Sequence, residues 1–253
     1  MVKDIRVRKV NADFTDKNIY VVSYYKVGHN ATRAFTTPID EFNKLESTTN
    51  LQNTILQNQA DQIIFVIRHP TERLLSGIKE RVLSDNNFKL TKQQVSNTWQ
   101  GEYISTSTAL TILHDKIFWS QQLDPSNNLL QFDNDPHTTN YLKTIEQLHS
   151  QTIDGDILHE IIDIKHMNYY FAQQGLRCYQ VNPSPFSHLI NNVIAEVLME
   201  KPEVLQRIRQ HIQPELEIYN KLIAYDTRQT KYKTEENLDE TDYFNQLKNL
   251  VGF

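Results

Sequence analysis

The sequence predicts an α/β fold: a central parallel β-sheet flanked by helices, with a helical C-terminal part. Two observations carry this. Short runs rich in β-branched and aromatic residues alternate along the chain with longer stretches whose apolar residues recur every three or four positions. At two places a strand pattern runs into a helix pattern through a turn that carries cations. The length of 253 residues suits one large α/β domain or two small ones, and no internal repeat is present.

Taken in order, residues 5–10 (IRVRKV) alternate as a half-exposed strand does, and residues 18–25 (NIYVVSYY) form a stronger strand pattern. A polar turn leads into a helix expected from about Ala31, broken or restarted at Pro38, with Ile39, Phe42 and Leu45 on its apolar face. Residues 62–67 (QIIFVI) read as a buried strand. Pro70 then stands at a first helical position, and Leu74, Leu75, Ile78 and Val82 form a stripe.

Residues 84–103 read as a polar loop, and 107–122 as a helix with Leu110, Leu113 and Ile117 inward. A strand over 128–132 and a helix over 139–148 follow. The run 157–164 suits strand or helix; a strand over at least Ile161–Ile164 is favoured, then a helix to about Gln174 stopped by Gly175. A short strand is expected at 179–181 and helices at 184–200 and 202–225, the last with Pro214 as a kink or restart. The expected organisation is a single α/β domain over 1–228 and a polar tail over 229–253 ending in a short amphipathic helix.

Composition narrows the function. Apolar residues make up 39% and charged residues 23%, enough for a core. The net charge of −5 lacks the basic excess of a duplex nucleic-acid binder, so no nucleic-acid partner is expected. One cysteine, Cys178, excludes an internal disulfide and a cysteine-based zinc site. The longest purely apolar run is Ile63–Ile67, and the first residues lack the apolar stretch of a signal peptide. A soluble, cytoplasmic protein without a transmembrane segment is expected.

Two turns carry the candidate chemistry. The first reads Tyr25-Lys26-Val27-Gly28-His29-Asn30-Ala31-Thr32-Arg33. Gly28 permits close approach of backbone to ligand, and the amides of a helix start bind anions. Lys26 and Arg33 add positive charge. The Walker A pattern is absent. The second turn reads Ile67-Arg68-His69-Pro70-Thr71-Glu72-Arg73-Leu74-Leu75-Ser76-Gly77. Arg68 emerges at a strand end, and Arg73 and Ser76 stand three apart on one helix face. A guanidinium and a hydroxyl at a helix start suit a second phosphate. Two such turns imply a ligand with phosphates at both ends.

These turns resemble the signatures of sulfotransferases that use 3′-phosphoadenosine 5′-phosphosulfate (PAPS), in particular the membrane-type and bacterial glycan-sulfotransferase-like branch. In that family a P-K-x-G-[TS]-like loop holds the 5′-phosphosulfate, and R-x-P-x-x-R-x-x-S holds the 3′-phosphate. Arg68, Pro70, Arg73 and Ser76 match the second pattern at the family spacing. Lys26 and Gly28 match the first, which departs at Tyr25, where the family usually has Pro, and at Asn30, where it has Thr or Ser. The segments 163–175 and 179–184 are similar to later parts of that family, so the resemblance spans roughly 18–225.

The resemblance implies a P-loop-NTPase-like sulfotransferase fold and direct transfer of a sulfuryl group to a hydroxyl or amine, leaving adenosine 3′,5′-bisphosphate (PAP), with no metal. It implies that Lys26 stabilises the leaving phosphate oxygen. Gly28, His29, Asn30, Ala31 and Thr32 would bind the 5′-phosphate. Arg68 and Ser76 would bind the 3′-phosphate, with Arg73 assisting or pairing with Glu72 or the sheet edge. His114 is the first candidate for the base, near Phe118-Trp119-Ser120-Gln121, which partly matches a His-Trp-x-x-Gln-like segment. Glu41 and Glu46 are the carboxylate alternatives, and His29 is a further one. The acceptor would be a glycan, lipid or small molecule. Two other readings remain open: an ATP-dependent phosphotransferase, and a degenerate non-catalytic nucleotide-binding member. Bland readings go to His69 as a turn-shaping residue, to Trp99 and Tyr103 as aromatic anchors under a loop, and to Cys178 as a core residue. His149, His159 and His166 lack metal-ligand spacing.

Overall fold

The computed structural model describes residues 5–24, 27, 31–39, 47–86, 88, 97–99, 102–127, 132, 138–152, 157–178 and 187–225. They fall into two compact units, and the helices Pro70–Asp85 and Pro202–Tyr225 each run from one into the other. Expectations for 128–131, 179–181 and the 229–253 tail lie outside the described residues.

The first unit, residues 1–70, 140–181 and 214–237, holds a five-stranded mixed sheet of order β3-β1-β2-β4-β7. Its strands are β1 (Ile5–Val10), β2 (Ile19–Tyr24), β3 (Thr36–Pro38), β4 (Gln62–Ile67) and β7 (Leu158–Asp163). Only β2, β4 and β7 are parallel; β1 is antiparallel to β2, and β3 to β1. The expected parallel sheet is therefore mixed. β2 and β4 are buried along their whole length, as parallel strands covered on both faces must be, and their near-continuous Val, Ile and aromatic runs supply that cover.

The helix expected from Ala31 is a four-residue 3-10 turn, Ala31–Ala34, followed by β3. Arg8 explains why β3 pairs there. Its Nε donates to Thr36 Oγ1 at 2.6 Å and its guanidinium to the Thr36 carbonyl at 2.7 Å. Burial, with Arg33 nearby, pulls the Arg8 guanidinium below its usual pKa. Pro38 is tolerated because β3 is an edge strand that needs no amide there.

Helix α1 (Thr48–Gln57) was hidden by its polar composition: only Leu51 and Ile55 are buried, four apart, and Ser47 caps it by accepting from the Asn50 amide at 3.1 Å. It packs against α5 (Leu142–Thr152), where Gln52 donates to the Gln151 carbonyl at 2.6 Å. After β7, Asp163 caps a short 3-10 turn by accepting from the Lys165 amide at 2.9 Å. Helix α6 (Met167–Gln173) then ends at Gly175, whose φ of +75° favours glycine. A Cβ there would meet no atom within 4 Å, so the requirement is conformational and not steric. Cys178 is half-buried, and burial pushes its thiol up to about 11.

The second unit, residues 71–139, 182–213 and 238–253, contains most of α2 (Pro70–Asp85), a hairpin of β5 (Asn97–Trp99) and β6 (Glu102–Ile104), α3 (Thr106–Leu113), α4 (Lys116–Gln122), α7 (Ser187–Glu200) and the first part of α8 (Pro202–Tyr225). The hairpin replaces part of the expected loop at 84–103. The expected helix at 107–122 is two helices, because Asp115 caps α4 by accepting from the Ile117 amide at 2.8 Å. Ile117, expected inward, is 67% exposed. α4 packs against α7, and Lys201 Nζ reaches the Ser120 carbonyl at 2.6 Å. Pro214 lies inside α8, which runs unbroken to Tyr225. Among the described residues no helix is long and apolar enough to cross a membrane.

In the first unit His149 on α5 and His159 on β7 are buried with rings 5.5 Å apart, between Phe65 and Tyr225. Burial lowers the pKa of both, that of His159 to about 4, and at His159 the neighbouring His149 imidazole adds to the lowering. Glu146 pulls His149 the other way, and Lys221 adds to the lowering. The unfolded chain takes up protons below about pH 6.5 that the folded chain refuses, so stability is full above that pH and falls toward pH 4. Thermal melts should show Tm dropping steadily from pH 7 to pH 4.5, with a shallower slope in His159→Leu; a slope unchanged in that variant would contradict this assignment.

Candidate functional site

Parallel pairing places the carboxyl ends of β2, β4 and β7 at one edge of the first unit's sheet. Ser23 is opposite Val66, and Ile67 is opposite Asp163. The two turns singled out from the sequence begin at the ends of β2 and β4, so they leave from neighbouring strands. In open α/β sheets this is where ligands bind.

Of the first turn, Lys26, Gly28, His29 and Asn30 lie outside the described residues, as does Tyr25. Val27 is fully buried, and its amide donates to the Tyr24 carbonyl at 2.8 Å. Ala31 and Thr32 are buried in the 3-10 turn, and the Thr32 carbonyl accepts from the Thr36 hydroxyl at 2.7 Å. Glu41 and Glu46 also lie outside the described residues.

The two arginines of the second turn belong to different units. Arg68 is half-buried one residue beyond β4. Its amide donates to the Tyr141 hydroxyl at 2.9 Å, while its guanidinium takes no hydrogen bond or ion pair among the described residues. Arg73, on α2 in the second unit, is 2% exposed and donates to the Thr138 carbonyl at 3.2 Å. His211 Nε2 lies 3.0 Å from that same oxygen. The Thr138 carbonyl is thus one partner that Arg73 has within its own unit. Ser76, on the same helix, is half-buried.

His114 ends α3 and is exposed between α3 and α4 in the second unit. The aromatic pair that follows is structural: Trp119 is fully buried and donates from Nε1 to the Leu113 carbonyl at 2.8 Å. Tyr103 is 82% exposed, which corrects the expectation of a buried anchor, and the Trp99 side chain is not among those described.

The structure adds residues at the sheet edge that the sequence did not single out as a site. Tyr141, fully buried at the start of α5, stacks on Tyr24 with centroids 4.6 Å apart. Glu215, 1% exposed, accepts from the amides of Tyr141 and Leu142, the latter at 2.8 Å. Tyr219 donates to the buried Asp163 carboxylate, and its ring meets His69 edge-on at 4.9 Å. Glu215 and Tyr219 stand four apart on α8, so one helix face serves both contacts. Among the described residues no three His, Cys, Asp or Glu side chains converge to hold a metal ion.

Comparison with protein-family models, with curated proteins and with solved structures finds no match for this chain. The site therefore rests on its own geometry.

Part of the missed group left a trace in sequence. An Asp at the end of an apolar strand, two residues before Lys165, is a capping pattern. Tyr219 lies in the apolar stripe of α8, where a tyrosine signals a hydroxyl that needs a partner. Tyr141 and Glu215 carry no local signal, because their partners are remote in sequence.

A buried carboxylate is tolerated only when its hydrogen bonds are made, and Glu215 makes them with a helix N-terminus. Glu215→Ala should lower unfolding free energy by about 2 kcal/mol, the worth of hydrogen bonds to a charged group, and Glu215→Gln by less. Urea denaturation measures this, and an unchanged midpoint in the alanine variant would refute the capping role.

Proposed function

We propose that the chain is a sulfotransferase of P-loop-like fold that binds PAPS at the carboxyl edge of β2 and β4 and releases PAP. The observation that carries the reading is Arg68: a half-buried guanidinium with no partner among the described residues, at a parallel strand end, heading R-x-P-x-x-R-x-x-S. A guanidinium in that position suits a phosphate, which it can grip through two parallel N–H bonds. The neighbouring strand end carries the Lys26 turn, so the two motifs that match the family start side by side. Support for the fold comes from the three parallel strands, and β1 and β3 extend that sheet in antiparallel sense.

In this reading Arg68 holds the 3′-phosphate, and the turn from Lys26 to Thr32 holds the 5′-phosphosulfate. Arg73 donates to the Thr138 carbonyl within the second unit. An acceptor oxygen or nitrogen attacks sulfur in line, and the bond from sulfur to the bridging oxygen breaks. The electron pair goes to the 5′-phosphate, where Lys26 stabilises the growing charge. The acceptor proton passes to a base, for which the sequence offers His114, Glu41 and Glu46. The acceptor is a glycan, a lipid or a small molecule.

A second reading, a nucleotide-binding protein without transfer activity, is favoured by Tyr25 and Asn30, the two departures in the donor turn. Calorimetric titration with PAP, ATP and AMP distinguishes these. The sulfotransferase reading expects PAP to bind best and Arg68→Ala to weaken it at least tenfold. Lys26→Ala should abolish transfer and largely spare PAP binding. Equal binding of ATP would favour a phosphotransferase, and selective PAP binding without transfer to any acceptor would favour the second reading.

A further inference from the structure

At the sheet edge, Glu215, Tyr141 and Arg68 form a chain of contacts within the first unit. Glu215 fixes the backbone at the start of α5 through two amides. That start carries Tyr141, whose ring is pinned on Tyr24, the last residue of β2. The Tyr141 hydroxyl in turn accepts the Arg68 amide, the first beyond β4. One side chain thus touches the ends of both strands from which the two turns depart.

We infer that Tyr141 is a positioning residue for the nucleotide: it holds the Arg68 peptide so that the guanidinium is aimed at the 3′-phosphate while the β2 end stays in register beside it. This rests on the nucleotide reading proposed above. The physical case is one of restraint. Arg68 lies past the last residue that pairs with β7, so the ladder no longer sets its peptide plane. A hydroxyl accepting its amide does so instead. A long side chain loses less freedom on binding when its backbone is already fixed. The same bond occupies the Arg68 amide, so recognition there falls to the side chain and not to the backbone.

This role has a signature that general stabilisation lacks. Adenosine 3′,5′-bisphosphate presents a 3′-phosphate; AMP does not. In Tyr141→Phe the ring still stacks on Tyr24, but the Arg68 amide loses its acceptor. Calorimetric titration of the full chain should show bisphosphate affinity reduced about tenfold, the worth of one well-placed hydrogen bond, with AMP affinity within twofold of wild type. Equal losses for both nucleotides, or no loss for either, would overturn the inference while leaving the site reading intact, provided wild type still prefers the bisphosphate and Arg68→Ala removes that preference. If wild type shows no such preference, the site reading fails and the inference fails with it. Should circular dichroism show that Tyr141→Phe does not fold, Tyr24→Leu serves in its place. It keeps the hydroxyl, removes the ring beneath it, and should lose the bisphosphate selectively; unchanged selectivity would overturn the inference.

Discussion

Because β2 and β4 run parallel and in register, their last residues lie at the same edge of the sheet, and every chain segment that leaves them starts from that edge. Most of the site follows from this pairing. The ladder uses up the backbone groups of both strands, but beyond Tyr24 and Ile67 amides and side chains are released to other partners. Tyr141, Glu215, Asp163 and Tyr219 gather at this edge because it is where such groups become available. The opposite edge is closed differently: the Asp61 carboxylate takes the Asn18 amide at 2.7 Å and its carbonyl takes the Leu158 amide at 3.0 Å, which ties the starts of three strands together.

The charged groups of the first unit's sheet edge differ in what they are bound to. Glu215 and Asp163 are buried carboxylates, each held by donors within the unit, and so belong to the scaffold. Arg8 and Arg73 each donate to a backbone carbonyl oxygen. Arg68 differs: its backbone is anchored and its guanidinium is half-buried without a partner among the described residues. A half-buried cation without a partner among the described residues suits an anion from solution, and that difference from Arg8 and Arg73 is what makes the second turn a candidate site.

Sequence made the central strands legible because burial on both faces leaves an almost unbroken apolar run. QIIFVI is β4 to the residue, and Pro70 marks the first position of α2. Gly175 stops α6 for a reason the sequence shows, a positive φ. Other elements were masked by composition. TTNLQNTILQ reads as polar, yet two buried residues and a Ser cap are enough for a helix supported by α5. The strand β3 was read as helix because its pairing depends on Arg8, 28 residues away. The split at His114 and Asp115 was readable in principle, since Asp before an apolar run is a capping signal that the longer periodicity overrode. In the site, Arg68 was visible because its motif is local, and Tyr141 and Glu215 were not, because only the fold brings residues 68, 141 and 215 together.

The most direct test of this account is a crystal structure of the full chain with adenosine 3′,5′-bisphosphate bound. The account predicts the 3′-phosphate on the Arg68 guanidinium, the 5′-phosphate at the turn that follows β2, and the bond from the Arg68 amide to the Tyr141 hydroxyl retained. Nucleotide bound away from this edge, or Arg68 turned from it with the phosphates held by other residues, would contradict the account.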